Sequence, residues 1–399
     1  MTIGSADNVR LPELSGRIGS LLTELASLRR EAGSVDEGRA AHAIRDHLRA
    51  LDMGAVTVDT VPAHGNYWKP LGLLTTLALG STVTARVFGV PLALAALLGV
   101  VDELDGGQRL RRRLLARGTT QNVSLRIGGG APRHVVVVAH YDAARSGRMF
   151  NPRVLAPVSR LSMRLTRNTP PLMAPLLAGP LLALAGACIR RRCIRAVAGG
   201  FCAGTVLTLA DVARSPVVDG ANDNLSGVAV LLGLAERLKE QPLKRGGITL
   251  VATGAEESGL EGMRGLIESL ATSSNSDVTV ICVDSVGSER LVCLDAEGPF
   301  RLREHSARLR ALARRLAHEA EIPLHPGVGF RGATDAAVAQ RAGFETLVLA
   351  SVSADGMPAD YHWPTDKLDR VNGSSVASAT RLCEALVRDL VDGTSGGKR

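Results

Sequence analysis

The chain has 399 residues, of which 45% are hydrophobic and 22% charged, with a formal net charge of +8 at pH 7. That apolar content suffices for a large core, so composition favours an enzyme over a scaffold, and an aromatic content of only 3% argues against a nucleic-acid binder that works by base stacking. The six cysteines show neither paired metal spacing nor a disulfide framework and are expected as free thiols.

The N-terminus shows no charged-then-apolar signal peptide and reads as an amphipathic helix with Leu and Ile on one face. "AVTVDTV" (55–61) reads as a strand. An apolar insertion over 70–101 is broken only by Arg86, and "NVSLRI" (122–127) is the next strand. "RHVVVVAHYD" (133–142) is a near-continuous β-branched run, as expected of a buried parallel strand. His140 and Asp142 stand two apart on it, so both face one side while Tyr141 points away.

A second apolar insertion occupies 169–210, with Arg190, Arg191, Arg192 and Arg195 at its middle. "NDNLSGVAVLLGLAERLKE" then opens on small polar capping residues and continues as an apolar-periodic helix, which puts Asp223 at a helix start. "GITLVAT" (247–253) is a strand ending just before Glu256 and Glu257, and "VTVICVD" (278–284) is a strand ending on Asp284. Side chains beyond the carboxyl ends of parallel strands line the usual crevice of an open α/β sheet. The expected fold is therefore α/β, doubly wound, with a mixed and mainly parallel sheet and helices on both faces. His362 falls in a late loop, and the tail 392–399 is expected to be disordered. His134, His305, His318 and His325 lack acidic company and are expected on the surface or in loops; Cys282 reads as core.

Two divalent ions need a bridging carboxylate and about two further O or N ligands each. Asp223 would bridge, His140 and Asp284 would complete one ion, and Glu257 and His362 the other. Imidazole and carboxylate without thiolate suit zinc, with manganese or cobalt as alternatives. Glu256 is the expected catalytic base that carries a proton from water to the departing amine, and Asp142 the expected partner of the second His140 nitrogen. Singly, each motif has a plainer reading as a strand end, a helix cap or a turn; their combination and order carry the inference.

These motifs, His140-Tyr141-Asp142, Asp223-Asn224-Leu225-Ser226-Gly227, Glu256-Glu257, Asp284 and Tyr361-His362-Trp363-Pro364-Thr365-Asp366, resemble metallopeptidase family 28, the co-catalytic zinc aminopeptidase group that includes bacterial leucyl aminopeptidases and glutamate carboxypeptidase II. The resemblance implies the same ligands and base, an aminopeptidase acting on peptides, and one metallopeptidase domain over 1–399. One segment departs from it: the family often has Ser-Asp-His before a Phe, whereas this chain has Thr334-Asp335-Ala336-Ala337, on the substrate side. Other readings of the same motifs are a related di-metal amidohydrolase or carboxypeptidase, a single-zinc glutaminyl cyclase-like acyltransferase, and a non-catalytic membrane receptor.

The insertions distinguish this chain from that pattern. Asp142 and Asp223 stand 81 positions apart, where family members usually have a short loop. Two membrane hairpins, with four helices crossing or partly inserting, are the expectation, against a soluble helical cap or dimer surface. Lys69, Arg109, Arg111, Arg112, Arg113 and Arg117 flank the first; Arg148, Arg153, Arg160, Arg164, Arg167 and Arg214 flank the second. They outnumber the turn arginines, which predicts a multi-pass protein with a cytoplasmic catalytic domain, a lipid bilayer as partner and no nucleic acid.

Overall fold

The computed structural model describes residues 16–115, 117–128, 133–272 and 277–393. Its strands are β1 (Ala55–Ala63), β2 (Gly118–Gly128), β3 (Arg133–His140), β4 (Gly247–Thr253), β5 (Asp277–Asp284), β6 (Arg290–Cys293), β7 (Ala296–Glu297), β8 (Arg303–Glu304), β9 (Gly329–Phe330) and β10 (Glu345–Val352). Seven form one sheet in the order β1-β2-β4-β3-β5-β10-β6, and β8-β7-β9 form a small second sheet. The four central strands β4, β3, β5 and β10 run parallel, while β1, β2 and β6 join antiparallel at the flanks. The sheet is mixed with a parallel centre, as expected.

The valine run of β3 explains that position. Val135 and Val137 pack into one core with helices α1 (Gly16–Ser27), α2 (Val35–Ala50), α9 (Ser226–Glu240), α11 (Ala307–Glu319) and α13 (Gly373–Asp392). Val136 and Val138 pack into a second core on the opposite face, with α10 (Glu261–Thr272) and α12 (Ala336–Arg341). A strand covered on both faces has no polar side to alternate with. Register then aligns the functional ends: His140 pairs with Thr253 of β4, and Asp284 with Ala350 of β10.

The two insertions fold as helical hairpins, α3 (Trp68–Ser81) with α4 (Arg86–Leu104), and α7 (Ala174–Ile189) with α8 (Arg192–Arg214). Helix α5 (Arg109–Leu114) follows the first, and α6 (Pro152–Thr166) precedes the second. The hairpins pack together, α3 against α8 and α7, and α4 against α7. Their interior has two clusters of small residues, Ala78, Ala96 and Cys202 in one and Ala93, Ala183 and Ala198 in the other, and a third of larger ones, Leu71, Leu74, Val100, Leu176 and Leu209. Val87, Phe88, Leu98, Leu181, Phe201 and Leu207 face outward. Large apolar side chains thus stand exposed along both hairpins.

His305 departs from its expected surface position. It is buried, accepts or donates at Nδ1 to Thr346 Oγ1 (2.9 Å), and sets Nε2 3.5 Å from Glu297. Its acidic neighbour is eight positions away along the chain, on β7, and only the small second sheet brings the two together. The expected disordered tail begins at Asp392, the last residue of α13; residues 394–399 lie outside the described residues, as do 1–15 of the expected N-terminal helix.

Candidate metal centre

The carboxyl ends of β3, β4 and β5 and the start of α9 meet at one rim, and the side chains expected to bind metal converge there. His140, Asp223 and Asp284 each place a ligand atom within 4.8 Å of the others, and so do Asp223, Glu257 and His362. Asp223 belongs to both groups. Its Oδ1 lies 3.2 Å from His140 Nε2, and its Oδ2 lies 3.3 Å from His362 Nε2, which is also 3.3 Å from Glu257 Oε2. Glu256 joins a third group with His140 and Glu257.

Each motif residue has a local reason. Asn224 donates to Val283 O and accepts from the Gly227 and Ser285 amides, tying the start of α9 to the end of β5. Ser226 Oγ donates to Asn222 O and accepts from the Val286 amide. At Gly227 a Cβ would sit 2.4 Å from Asn224 Oδ1 and 2.6 Å from Val283 O, so no larger residue fits that seam. Asp366 accepts the amides of Asn222 (2.6 Å) and Asp223 (3.1 Å) and fixes the loop that presents Asp223. Backbone with positive φ at Ala255, Ser285 and His362 aims the flanking ligands, a strain commonly held at functional sites.

Asp142 does more than the sequence suggests. Its Oδ1 lies 3.4 Å from His140 Nδ1, and its carboxylate accepts the amides of Glu256 and Glu257, both at 3.0 Å. One buried carboxylate thus stands beside the His140 ring and holds the turn carrying both glutamates. Three further residues escape a reading by motif. Arg30 is fully buried and donates to Tyr141 O, Asp219 O and Leu25 O, joining the segment after His140 to the loop before Asp223. Glu37 accepts from the Ala255 amide and Thr120, bracing the Glu256 turn from α2. Phe150 packs edge-on against the His362 ring at 4.7 Å and against the Tyr361 ring at 5.8 Å, while Tyr361 stacks on His362 at 4.0 Å. A buried arginine and aromatic packing leave no spacing signature.

The electrostatics test whether a cation fits. Burial, and then the Asp223 charge, push Asp284 up to about 7; burial with Glu257, Asp335 and Asp284 pushes Glu256 well above the usual carboxylate range. Burial also raises Asp223, but the two imidazoles outweigh it and hold Asp223 low. Burial lowers His362, and Glu257 and Asp223 reverse that to about 10. Glu257 Oε1 is buried with no hydrogen-bond partner. A buried group of carboxylates that must otherwise keep protons, next to an orphaned carboxylate oxygen, is matched to positive charge. With imidazole and oxygen donors and no thiolate, the residues fit a divalent ion of the zinc type.

A mixed sheet with a parallel centre thus carries, at its strand ends, a His/Asp/Glu set that could hold divalent metal. The Peptidase family M28 model matches residues 205–387, a stretch that includes Asp223, Glu256, Glu257, Asp284 and His362. This stretch is similar to family M28, the family that the motifs resemble. The alkaline phosphatase isozyme conversion protein of Escherichia coli (strain K12) is 32% identical over 145 residues, 34% of this chain and 41% of that protein. The chain thus matches about two-fifths of the length of this curated relative. Among solved structures, BSAP, a zinc aminopeptidase from Bacillus subtilis, superposes with a TM-score of 0.56 at 16% identity, covering 97% of each chain. Bacteroides thetaiotaomicron glutaminyl cyclase bound to N-acetylhistamine gives a TM-score of 0.56 at 12% identity, covering 94% of this chain and 97% of that one. At such identities the likeness is one of fold.

Proposed function

We propose that the chain is a two-metal, zinc-type aminopeptidase that removes N-terminal residues from peptides, working as one catalytic domain at a membrane. The observation that carries the two-metal reading is Asp223, whose two oxygens face His140 and His362 separately. His140, Asp223 and Asp284 would hold one ion, and Asp223, Glu257 and His362 the other. Bound divalent ions supply Lewis acidity toward the scissile carbonyl and lower the pKa of the attacking water. Glu256 faces the same cavity and is held by its backbone amide on Asp142, so its carboxylate takes the proton from water and returns it to the leaving amine. Release of free amino acid from aminoacyl-anilides with added zinc, manganese or cobalt tests this reading. A chain that turns over none of them contradicts it. The fold likeness to a glutaminyl cyclase supports a second reading, a single-zinc acyltransferase, which elemental analysis separates by ion count.

Membrane association rests on the insertions. Helices α4 and α8, 19 and 23 residues long, are long and apolar enough to cross a bilayer, and most of each apolar stretch is not buried inside the protein. Helices α3 and α7, 14 and 16 residues, are shorter and insert partly. Helix α6 adds an exposed apolar stripe, Val154, Val158, Leu161 and Leu165, at helical spacing and beside Arg153, Arg160 and Arg164, as suits a helix lying in the headgroup layer. Retention in the membrane pellet after alkaline carbonate is the expected result; release to the supernatant contradicts it. With the catalytic domain cytoplasmic, a membrane-impermeant maleimide reaches the exposed Cys188 and Cys193 at the α7–α8 turn from outside intact cells.

A further inference from the structure

The cavity that opens on the metal centre is lined by more than the candidate ligands. Beside His140, Glu256 and Glu257 its wall includes the apolar Leu71, Leu104, Leu172, Met173, Leu260 and Phe330 and the arginines Arg111, Arg264 and Arg341. Two of the three are engaged. Arg111 pairs with Glu103 and donates to the carbonyls of Gly65 and Ser258, and Arg341 donates to those of Ala337 and Asp105. Arg264 is different: its Nε and Nη2 are buried and meet no acceptor. The nearest acid on its own helix, Glu261, is already taken by the amide and ring of His64. Burial and then the like charges of Arg112 and Arg341 pull Arg264 down to about 10, which leaves it cationic at neutral pH. A half-buried guanidinium with two buried, unpaired nitrogens among like charges is costly, and a carboxylate matches its geometry best.

We infer that Arg264 is a specificity residue that receives the C-terminal carboxylate of a short apolar peptide whose scissile amide lies at the metal centre, making the chain selective for small free-acid peptides over longer or blocked ones. The inference rests on the peptidase reading above and narrows its substrate class. The apolar side chains that line the same cavity suit apolar residues in such a peptide.

The test compares Leu-Leu and Leu-Leu-Leu as free acids and as C-terminal amides, with Glu-Leu-amide as the side-chain arm. Turnover is measured on the full chain in detergent with zinc, and binding on the Glu256→Gln variant by titration calorimetry. Tenfold or greater preference for one free acid over its amide is expected in both readouts. The ratio should fall to within about twofold in Arg264→Gln and recover in part in Arg264→Lys. Acid and amide bound equally, or neither bound, overturns the inference. Tight binding of Glu-Leu-amide overturns it as well, by moving the recognised carboxylate to the first side chain. Hydrolysis of acid and amide alike leaves the peptidase reading standing without Arg264. A binding preference without any hydrolysis does the reverse.

Discussion

Asp223 turns its two carboxylate oxygens to two different imidazoles, Oδ1 to His140 Nε2 at 3.2 Å and Oδ2 to His362 Nε2 at 3.3 Å. A residue so placed can serve two ions at once, and its loss should disable both. Asp223→Asn keeps the size of the side chain and removes the charge. It is expected to leave the fold intact, to weaken metal binding by at least ~100-fold and to abolish turnover. Metal titration against circular dichroism of the same sample checks this.

Glu256 has a different expected signature. It shares its ligand group with His140 and Glu257, yet the two metal triads are complete without it. Glu256→Gln should retain bound metal while kcat falls by about 10²–10⁴-fold, with little change in substrate affinity. Equal loss of metal and of kcat would make Glu256 a ligand rather than a base.

How much of this was legible beforehand depended on the kind of signal. Valine runs marked β3, β4 and β5 because a strand buried on both faces must be apolar throughout, and their ends located His140, Asp284 and the Glu256–Glu257 pair. The helical hairpins were equally plain in composition. Arg30, Glu37 and Phe150 were not, since each acts through contacts with residues far off in sequence: Arg30 reaches Tyr141 and Asp219, and Glu37 reaches Ala255. His305 was misplaced for the same reason, its partner Thr346 lying 41 positions away. Patterns of type and period report local structure; long-range pairing of single polar groups leaves no trace in them.

Arg30 offers a test of that buried scaffold. Its guanidinium is fully buried and satisfies carbonyls of Tyr141 and Asp219. Arg30→Met leaves those two acceptors unpaired and should destabilise the protein by about 2–6 kcal/mol, at about 1–3 kcal/mol per orphaned group. Metal affinity should fall too, because both loops carrying His140 and Asp223 lose their tie. Thermal midpoints with and without zinc measure the two effects separately.

Glu297 gives a pH dependence distinct from the metal centre. Burial pushes its carboxyl up to about 8, against the opposing hydrogen bond from the Thr334 amide (2.6 Å). Burial, then Arg310, lowers its neighbour His305 to about 4. Between about pH 4.5 and 8 the folded chain holds a proton on Glu297 that the unfolded chain has released, so stability falls as pH rises through that window. His305 works oppositely between about 4 and 6.5, where the unfolded chain holds the extra proton and stability rises with pH. Glu297 therefore dominates from about pH 6.5 to 8, over which wild type should lose about 2 kcal/mol relative to Glu297→Gln and then level off. A pH-independent difference between the two thermal midpoints would contradict the assignment.

The most direct measurement is the number of zinc ions retained per chain by elemental analysis after loading and dialysis of the detergent-purified protein. The account predicts two for the wild type and fewer than one for Asp223→Asn. A wild-type chain that retains none contradicts it, as does a single ion whose retention is indifferent to Asp223→Asn and to His362→Ala.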